Sequence, residues 1–457
     1  MSVAPRIPGF TGRLIAPTDA EYELARLTGN AACDARPALI ARAVDADDVA
    51  AVVRWARETS QVLAIRSAGH SIAGHSTGEG VVVLDLAALD GIDFDAASTT
   101  AWVGPGVKAA TFTKAAYERG GAVSFGDTGT VGLGGLIPGG GIGWLVRKYG
   151  LTIDSLLAAE IVTADGEQLT ASADSHPALY WALRGGGGNF GVVTRYRLAL
   201  NPIGEVLHGT LLMRATADTV RGVLELGHAA PDDLTLMPYV MAIPPMDEVT
   251  ASEHGRLGLW VDTLWAGPAD EGQEVLASLR ALGPVLMDTV AQKPYPTVYG
   301  EPEDGPRGGW TSSSVYLNDV DAGVFETVRD SLGKAPPGNS LAIFRVLGGA
   351  AGRVANDATA YGWRDRRYLV WLIASFAITE ARTVYDRWAS DFRSALAGRG
   401  SGAFVSFMGT DDPESVAACF PTDTLARLRE IKRRWDADNL FRHNHNIAPA
   451  GGVTTTD

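Results

Sequence analysis

Four stretches of this sequence combine residue types that could do chemistry. The first is Arg66-Ser-Ala-Gly69-His70-Ser71-Ile-Ala-Gly74. The second is Gly126-Asp-Thr128-Gly129-Thr-Val131-Gly132-Leu-Gly134-Gly135-Leu-Ile-Pro-Gly139-Gly140-Gly141-Ile-Gly143, with nine glycines. The third is Gly186-Gly-Gly188-Asn-Phe-Gly191, and the fourth, near the end, is Phe441-Arg-His-Asn444-His-Asn446-Ile-Ala-Pro449. Glycine tolerates positive φ and lets backbone N–H groups approach a ligand closely. Successive N–H groups in such turns form anion-binding nests. The first two stretches therefore suit the phosphates of a large cofactor. Tight turns alone are the plainer alternative for one Gly-Gly pair, but not for nine glycines this close together. The third stretch matches the G-x-G-x-x-G dinucleotide pattern, yet a helix is expected before it and a strand after it, the reverse of the order that pattern needs. No Gly-Lys-Ser/Thr occurs, so no P-loop is present.

The elements that must position these stretches follow from periodicity. Ala38–Ala41, Val62–Arg66 and Val81–Leu86 have the length and apolar content of strands. Asp45 opens a helix in which Val49, Val52, Val53 and Ala56 recur at helical spacing. Lys108–Arg119 and Pro177–Arg184 are expected helices; Glu160–Asp165 and Val192–Leu200 are expected strands. Beyond Pro202 the texture changes. Strands at Leu207–Leu212, Leu257–Trp265 and Tyr368–Ile378 alternate with helices at Ala217–Gly227, Ala269–Leu282, Ala322–Gly333 and Ala381–Gly398. Ile243-Pro-Pro and Tyr299–Pro306 carry loop signals. A charged helix, Leu425–Trp435, leads into the tail. The pattern predicts an α+β protein with an antiparallel sheet in its middle part.

Composition limits the function. Lys and Arg number 39 against 53 Asp and Glu, a net charge of −14. That disfavours a general nucleic-acid binder, which needs clustered cations for phosphates, and a polybasic membrane surface. The two cysteines, Cys33 and Cys419, exclude a disulfide framework and a four-cysteine zinc site; no metal is expected. The N-terminus shows no apolar signal region, so the expected location is the cytoplasm. Glycine is the abnormal count, 54 of 457, roughly 12% against about 7% on average.

The ordered motifs resemble the FAD-linked oxidases of the berberine bridge enzyme-like branch of the vanillyl-alcohol oxidase superfamily. The likeness includes Arg66–Ser71, the Val131–Gly143 glycine block, Tyr149-Gly-Leu-Thr-Ile-Asp154, Val162-Thr-Ala-Asp-Gly, Trp181–Thr194 and the tail Phe441–Pro449. It implies two domains: a flavin-binding domain built from 1–201 and 413–457, and a substrate domain at 202–412. It implies FAD as cofactor, with His70 bonded covalently to the flavin 8α-methyl carbon. Many relatives carry a second, cysteinyl tether in a Cys-x-x-Val-Gly setting; here that position is Thr128, so a single covalent link is expected. Further cofactor contacts are implied at Arg66, Ser67, Gly69, Ser71, Gly74, Gly129, Val131, Gly134, Gly135, Gly139, Gly140, Gly141, Gly143, Asp154, Val193, Asn444 and Asn446. Val131 matches the place where relatives set access for oxygen.

On the substrate side, the strand beginning at Leu341 places Arg345 where relatives often carry an acid. An arginine cannot serve as a base, but it can bind an anionic group or lower a neighbouring tyrosine's pKa. Tyr239, Tyr316 and Tyr361 are the candidate partners, each with a packed-aromatic alternative. The resemblance implies an oxidase that removes hydride from a C–H next to a hydroxyl or amine, or closes a ring oxidatively, with O2 reduced to H2O2. A flavin dehydrogenase with another acceptor, and a flavin-bound non-redox cyclase or binding protein, are the alternatives. The expected partners are a small-molecule substrate and O2, in a monomer or homodimer.

Overall fold

The computed structural model describes residues 5–300 and 308–451. Three principal sheets organise them. The first has Leu39–Arg42, Val82–Asp85 and Leu63–Arg66 in parallel, with Arg13–Ile15 antiparallel at its edge. The crossover is the helix Ala46–Glu58, capped by Asp45, whose carboxylate accepts the Asp48 N–H at 2.8 Å. Its Val49, Val52, Val53 and Ala56 are buried against Leu39, Ala41 and Leu84, and the tail residues Leu440 and Phe441 complete that core.

The second sheet is antiparallel, in the order Ile92–Phe94, Thr100–Val103, Val192–Ala199, Leu156–Val162, Gln168–Ser172. Its core takes in Leu428 and Ile431 of the helix Thr422–Trp435 and Ile447 beyond it, so the tail packs back onto residues of the first two hundred.

The third sheet is antiparallel and has nine strands. Its order is Val285–Asp288, Glu205–Arg214, Leu257–Trp265, Leu234–Ala242, Asn339–Val346, Tyr368–Phe376, Gly309–Leu317, Gly400–Ser401, with Ala291–Pro294 also beside Glu205–Arg214. Residues on alternate positions, such as Leu236, Val240, Val261, Phe344, Val370 and Leu372, pack against the helices Ala217–Ala229, Ala322–Leu332 and Arg382–Leu396. Alternation therefore turns Tyr239, Asp262, Arg345 and Trp371 to the opposite face.

Several elements differ from the sequence reading. Leu133–Gly139, inside the glycine block, is a short helix despite Pro138, because Leu133, Leu136 and Ile137 share one buried side. The strands Leu234–Ala242 and Gly309–Leu317 escape a periodicity reading, since one contains Pro238 and the other runs Thr311-Ser-Ser-Ser314. The hydroxyls of that run are buried and bonded: Ser312 Oγ donates to the Phe407 carbonyl at 2.8 Å, and Ser314 Oγ accepts the Phe404 N–H at 2.9 Å. Tyr295–Tyr299 is a short 3-10 helix, and positions 301–306 of the expected loop lie outside the described residues. No helix among the described residues is long and apolar enough to cross a membrane.

Candidate active site

A cavity of about 480 Å³ lies where the first sheet, the glycine block, the tail and the bare face of the third sheet converge. One side is the turn Ser67–Ile72, which follows the strand Leu63–Arg66. The glycine block supplies Asp127, Thr128, Val131, Gly134, Gly135, Gly139 and Gly141. The tail supplies Phe441, His443, Asn444 and His445. The roof is aromatic, made by Trp310 and Trp371 from the sheet and Phe404 and Phe407 from the segment after it. Trp371 and Phe407 stack with ring centroids 3.9 Å apart, 8° from parallel.

The structure brings eleven of the expected cofactor residues to this cavity: Ser67, Gly69, His70, Ser71, Thr128, Val131, Gly134, Gly135, Gly139, Gly141 and Asn444. Among the described residues, the backbone N–H groups of Gly69, His70 and Ser71 have no protein acceptor, which suits an anion-binding turn. Within the second cluster the expectation does not hold at the first turn of the helix Leu133–Gly139. There the Leu133 and Gly134 N–H groups donate to the Val107 and Pro105 carbonyls at 2.9 and 3.0 Å.

The other expected contacts lie off the cavity wall, with structural partners. Arg66 is buried and donates to Asp85 at 3.0 Å, leaving its Nη1 without a partner. Gly74 has φ +95°, with Cys33 Sγ 2.9 Å from where a Cβ would stand. A Cβ on Gly129 would meet Ala110 and Tyr299, one on Gly140 would press on Tyr361 and Phe404, and one on Gly143 would stand 1.4 Å from the Phe125 carbonyl oxygen. Asp154 forms a two-pronged ion pair with Arg364, at 2.7 and 3.0 Å. Val193 is buried in its strand. Asn446 keeps a buried Oδ1 without a protein partner.

None of the four expected catalytic residues, Tyr239, Tyr316, Arg345 and Tyr361, lines the cavity. Tyr316 and Tyr361 donate and accept one hydrogen bond at 2.8 Å inside an apolar core, away from the cavity wall. Burial pushes both phenols above their ordinary pKa, and Arg364 beside Tyr361 does not reverse this. Tyr239 stacks on Trp260 and is likewise pushed up by burial, then by Asp262. None of these three tyrosines is therefore activated by a cation. Arg345 is buried, ion-paired with Asp127, in contact with the Met237 sulfur and near the faces of Trp371 and Phe407. It braces the wall rather than lining it.

Sequence reasoning passed over other wall groups. Asp127 sits next to Thr128, within the motif, but its value comes from Arg345, 218 positions away. His75, His443 and His445 also line the cavity. His75 bonds Asp411 at 3.1 Å and packs edge-on against His445, with ring centroids 4.7 Å apart. Burial holds His445 down at about 3, so it is neutral at physiological pH. His70 is lowered by burial and then by Lys108, which leaves an uncharged ring nitrogen available.

A large flavin fits these residues. Gly135 and Gly188 line the cavity and an added Cβ on either would meet nothing within 4 Å, so the backbone leaves open space there. Asn444 and His445 each retain one buried polar atom with no protein partner, an arrangement that calls for a ligand.

Residues 37–172 match the family model described as an FAD binding domain, and residues 403–448 match that described as berberine and berberine like. The chain is 30% identical over 454 residues to the (R)-6-hydroxynicotine oxidase of Paenarthrobacter nicotinovorans, covering 96% of this chain and 97% of that protein. It superimposes on the crystal structure of 6-hydroxy-D-nicotine oxidase from Arthrobacter nicotinovorans with a TM-score of 0.86 at 27% identity, over 98% and 99% of the two chains. The xylooligosaccharide oxidase from Myceliophthora thermophila shares the fold, with a TM-score of 0.83 at 23% identity over 96% and 98%.

Proposed function

Since the chain belongs to the berberine and berberine-like family of FAD-linked oxidoreductases, we propose that it oxidises a C–H bond next to a hydroxyl or amine of a small organic substrate, with O2 reduced to H2O2. The observation that carries this reading is one cavity with the turn of His70 on one side and an aromatic sheet face on the other.

When bound, the flavin supplies the hydride acceptor. The protein's own part is positional. Gly69, His70 and Ser71 present free backbone N–H groups at the cavity. His70 is the attachment point: burial keeps its imidazole uncharged, as bonding to an electrophilic carbon requires. Thr128 offers no thiol, so the link is single. Trp310, Trp371 and Phe407 exclude water from the opposite side and hold an apolar body flat.

The test uses the purified yellow protein. Anaerobic addition of secondary alcohols, cyclic amines and sugars should bleach the flavin with one class, and air should restore the colour with stoichiometric peroxide. Failure of every class to bleach it overturns the oxidase reading. Acid precipitation should leave the colour in the pellet for the wild type and release it for His70→Ala. Colour retained by His70→Ala would place the tether elsewhere.

A further inference from the structure

Among the described residues lining the cavity, Asp127 is the only Asp, Glu, Lys or Arg. Its Oδ1 accepts the Thr128 hydroxyl at 3.2 Å and its other oxygen pairs with Arg345. Strand register places a second carboxylate behind it. Met237 pairs with Asp262, Asp262 with Thr210, and Tyr239 with Ile343, which sets Arg345 opposite Met237. Thr210, Asp262, Met237 and Arg345 thus form one row across the bare face of the sheet. Asp262 accepts the Thr210 hydroxyl at 2.5 Å and has no ion-pair partner of its own among the described residues. Together with Asp127, the row holds two carboxylates against one guanidinium, one negative charge in excess when Asp262 is ionised.

We propose that Asp127, with Arg345 and Asp262 behind it, makes the substrate end of the cavity selective for a protonated amine carried on an apolar or aromatic body. The inference rests on the oxidase reading above and narrows its substrate class. An anion would meet no lysine or arginine on the wall. The neutral polar groups of the wall, such as Ser71 and Asn444, come from the turn and the tail, whereas the roof offers Trp310, Trp371, Phe404 and Phe407. A cation gains from both features, since aromatic faces and a desolvated carboxylate attract positive charge. The chemistry balances. The bound ammonium releases its N–H proton to the partly exposed Asp127 carboxylate and from there to solvent. The C–H bond would then break with its electron pair leaving on the hydrogen as hydride, for which the bound flavin would be the acceptor. The nitrogen lone pair forms the C=N bond of an iminium, so the product keeps the single positive charge that the site accommodates.

Binding to the oxidised holoprotein is read from the flavin absorbance. The probes are benzyltrimethylammonium, which lacks the lone pair needed for oxidation, benzyl alcohol and phenylacetate. The cation should bind at least tenfold more tightly than the alcohol, and phenylacetate more weakly still. Asp127→Asn should weaken the cation at least tenfold and leave the alcohol unchanged, with Asp127→Glu recovering part of the loss. Asp262→Asn, away from the cavity wall, should weaken the cation severalfold and keeps the test open if Asp127→Asn fails to fold. Equal binding of cation and alcohol, or cation binding unchanged in Asp262→Asn, overturns the proposal. Flavin bleaching by alcohols alone would sink this inference and spare the oxidase reading. Cation binding with no substrate class able to bleach the flavin would do the reverse.

Discussion

Single residues at this site are held against their own stability. Asp262 is pushed up from the usual carboxylate value to about 6, chiefly by burial, with Asp127 adding and Thr210 and Arg345 opposing. Tyr239 and Met237 are its other neighbours from the adjoining strand. A raised acid is favoured in its protonated form by folding. Its cost is absent below the unfolded value near 3.8 and fully present above about 6. Asp262→Asn should therefore stabilise the protein at pH 7.5 by up to ~3 kcal/mol, a gain that shrinks as pH falls from 6 towards 4. Denaturant midpoints at the two pH values check this, and an equal effect at both would contradict the assignment. Gly141 is tied to its type for a steric reason: φ is +72° and a Cβ would stand 1.9 Å from Thr152 Oγ1. Gly141→Ala should cost at least ~2 kcal/mol through strain and overpacking, seen as a lower thermal midpoint and loss of flavin. The sequence showed that the glycines were grouped; it did not show that Gly135 leaves room for a ligand while Gly143 leaves room for the Phe125 carbonyl.

At the scale of elements, the helix Thr422–Trp435 anchors the tail to the cavity. Lys432 is fully buried, and its Nζ donates to the Asp436 carboxylate and to the Asn189 and Phe441 carbonyls at 2.7 to 2.9 Å. Asn189 in turn donates to the His445 carbonyl at 3.1 Å and accepts the Ile447 N–H at 2.9 Å. The helix thereby fixes both the Gly186–Gly191 turn and the Asn444–Asn446 segment. Lys432→Met should cost ~3–5 kcal/mol, because it strands Asp436 as an uncompensated buried charge. Urea unfolding measures it; a loss under 1 kcal/mol would mean the tail is held by packing alone. The helix was legible from its amphipathic charge pattern. The partners of Lys432 were not, because a lysine on a charged helix reads as solvated.

At the scale of the whole molecule, the sheet of the middle region closes over the turns of the first. Arg147, buried beside the glycine block, donates to the Leu347, His228 and Ala230 carbonyls at 2.8, 3.3 and 2.7 Å. No carboxylate pairs with it among the described residues, so it works as a hydrogen-bonded strut. Arg147→Met should leave those carbonyls unpaired, cost ~2–3 kcal/mol and raise protease sensitivity between the two regions; unchanged cleavage rates would argue against a bridging role. The sequence by itself determined the alternation of strands and helices and the glycine-rich turns with His70 among them, because these depend on local spacing and on glycine's backbone freedom. Only the tertiary structure decided which groups share the cavity. It withdrew Tyr316 and Tyr361 into an apolar core, turned Arg345 from a ligand into a brace, and set Asp127 against a sheet row carrying Asp262. Those outcomes depend on strand register and on desolvation, and both arise from residues 45 to 218 positions apart.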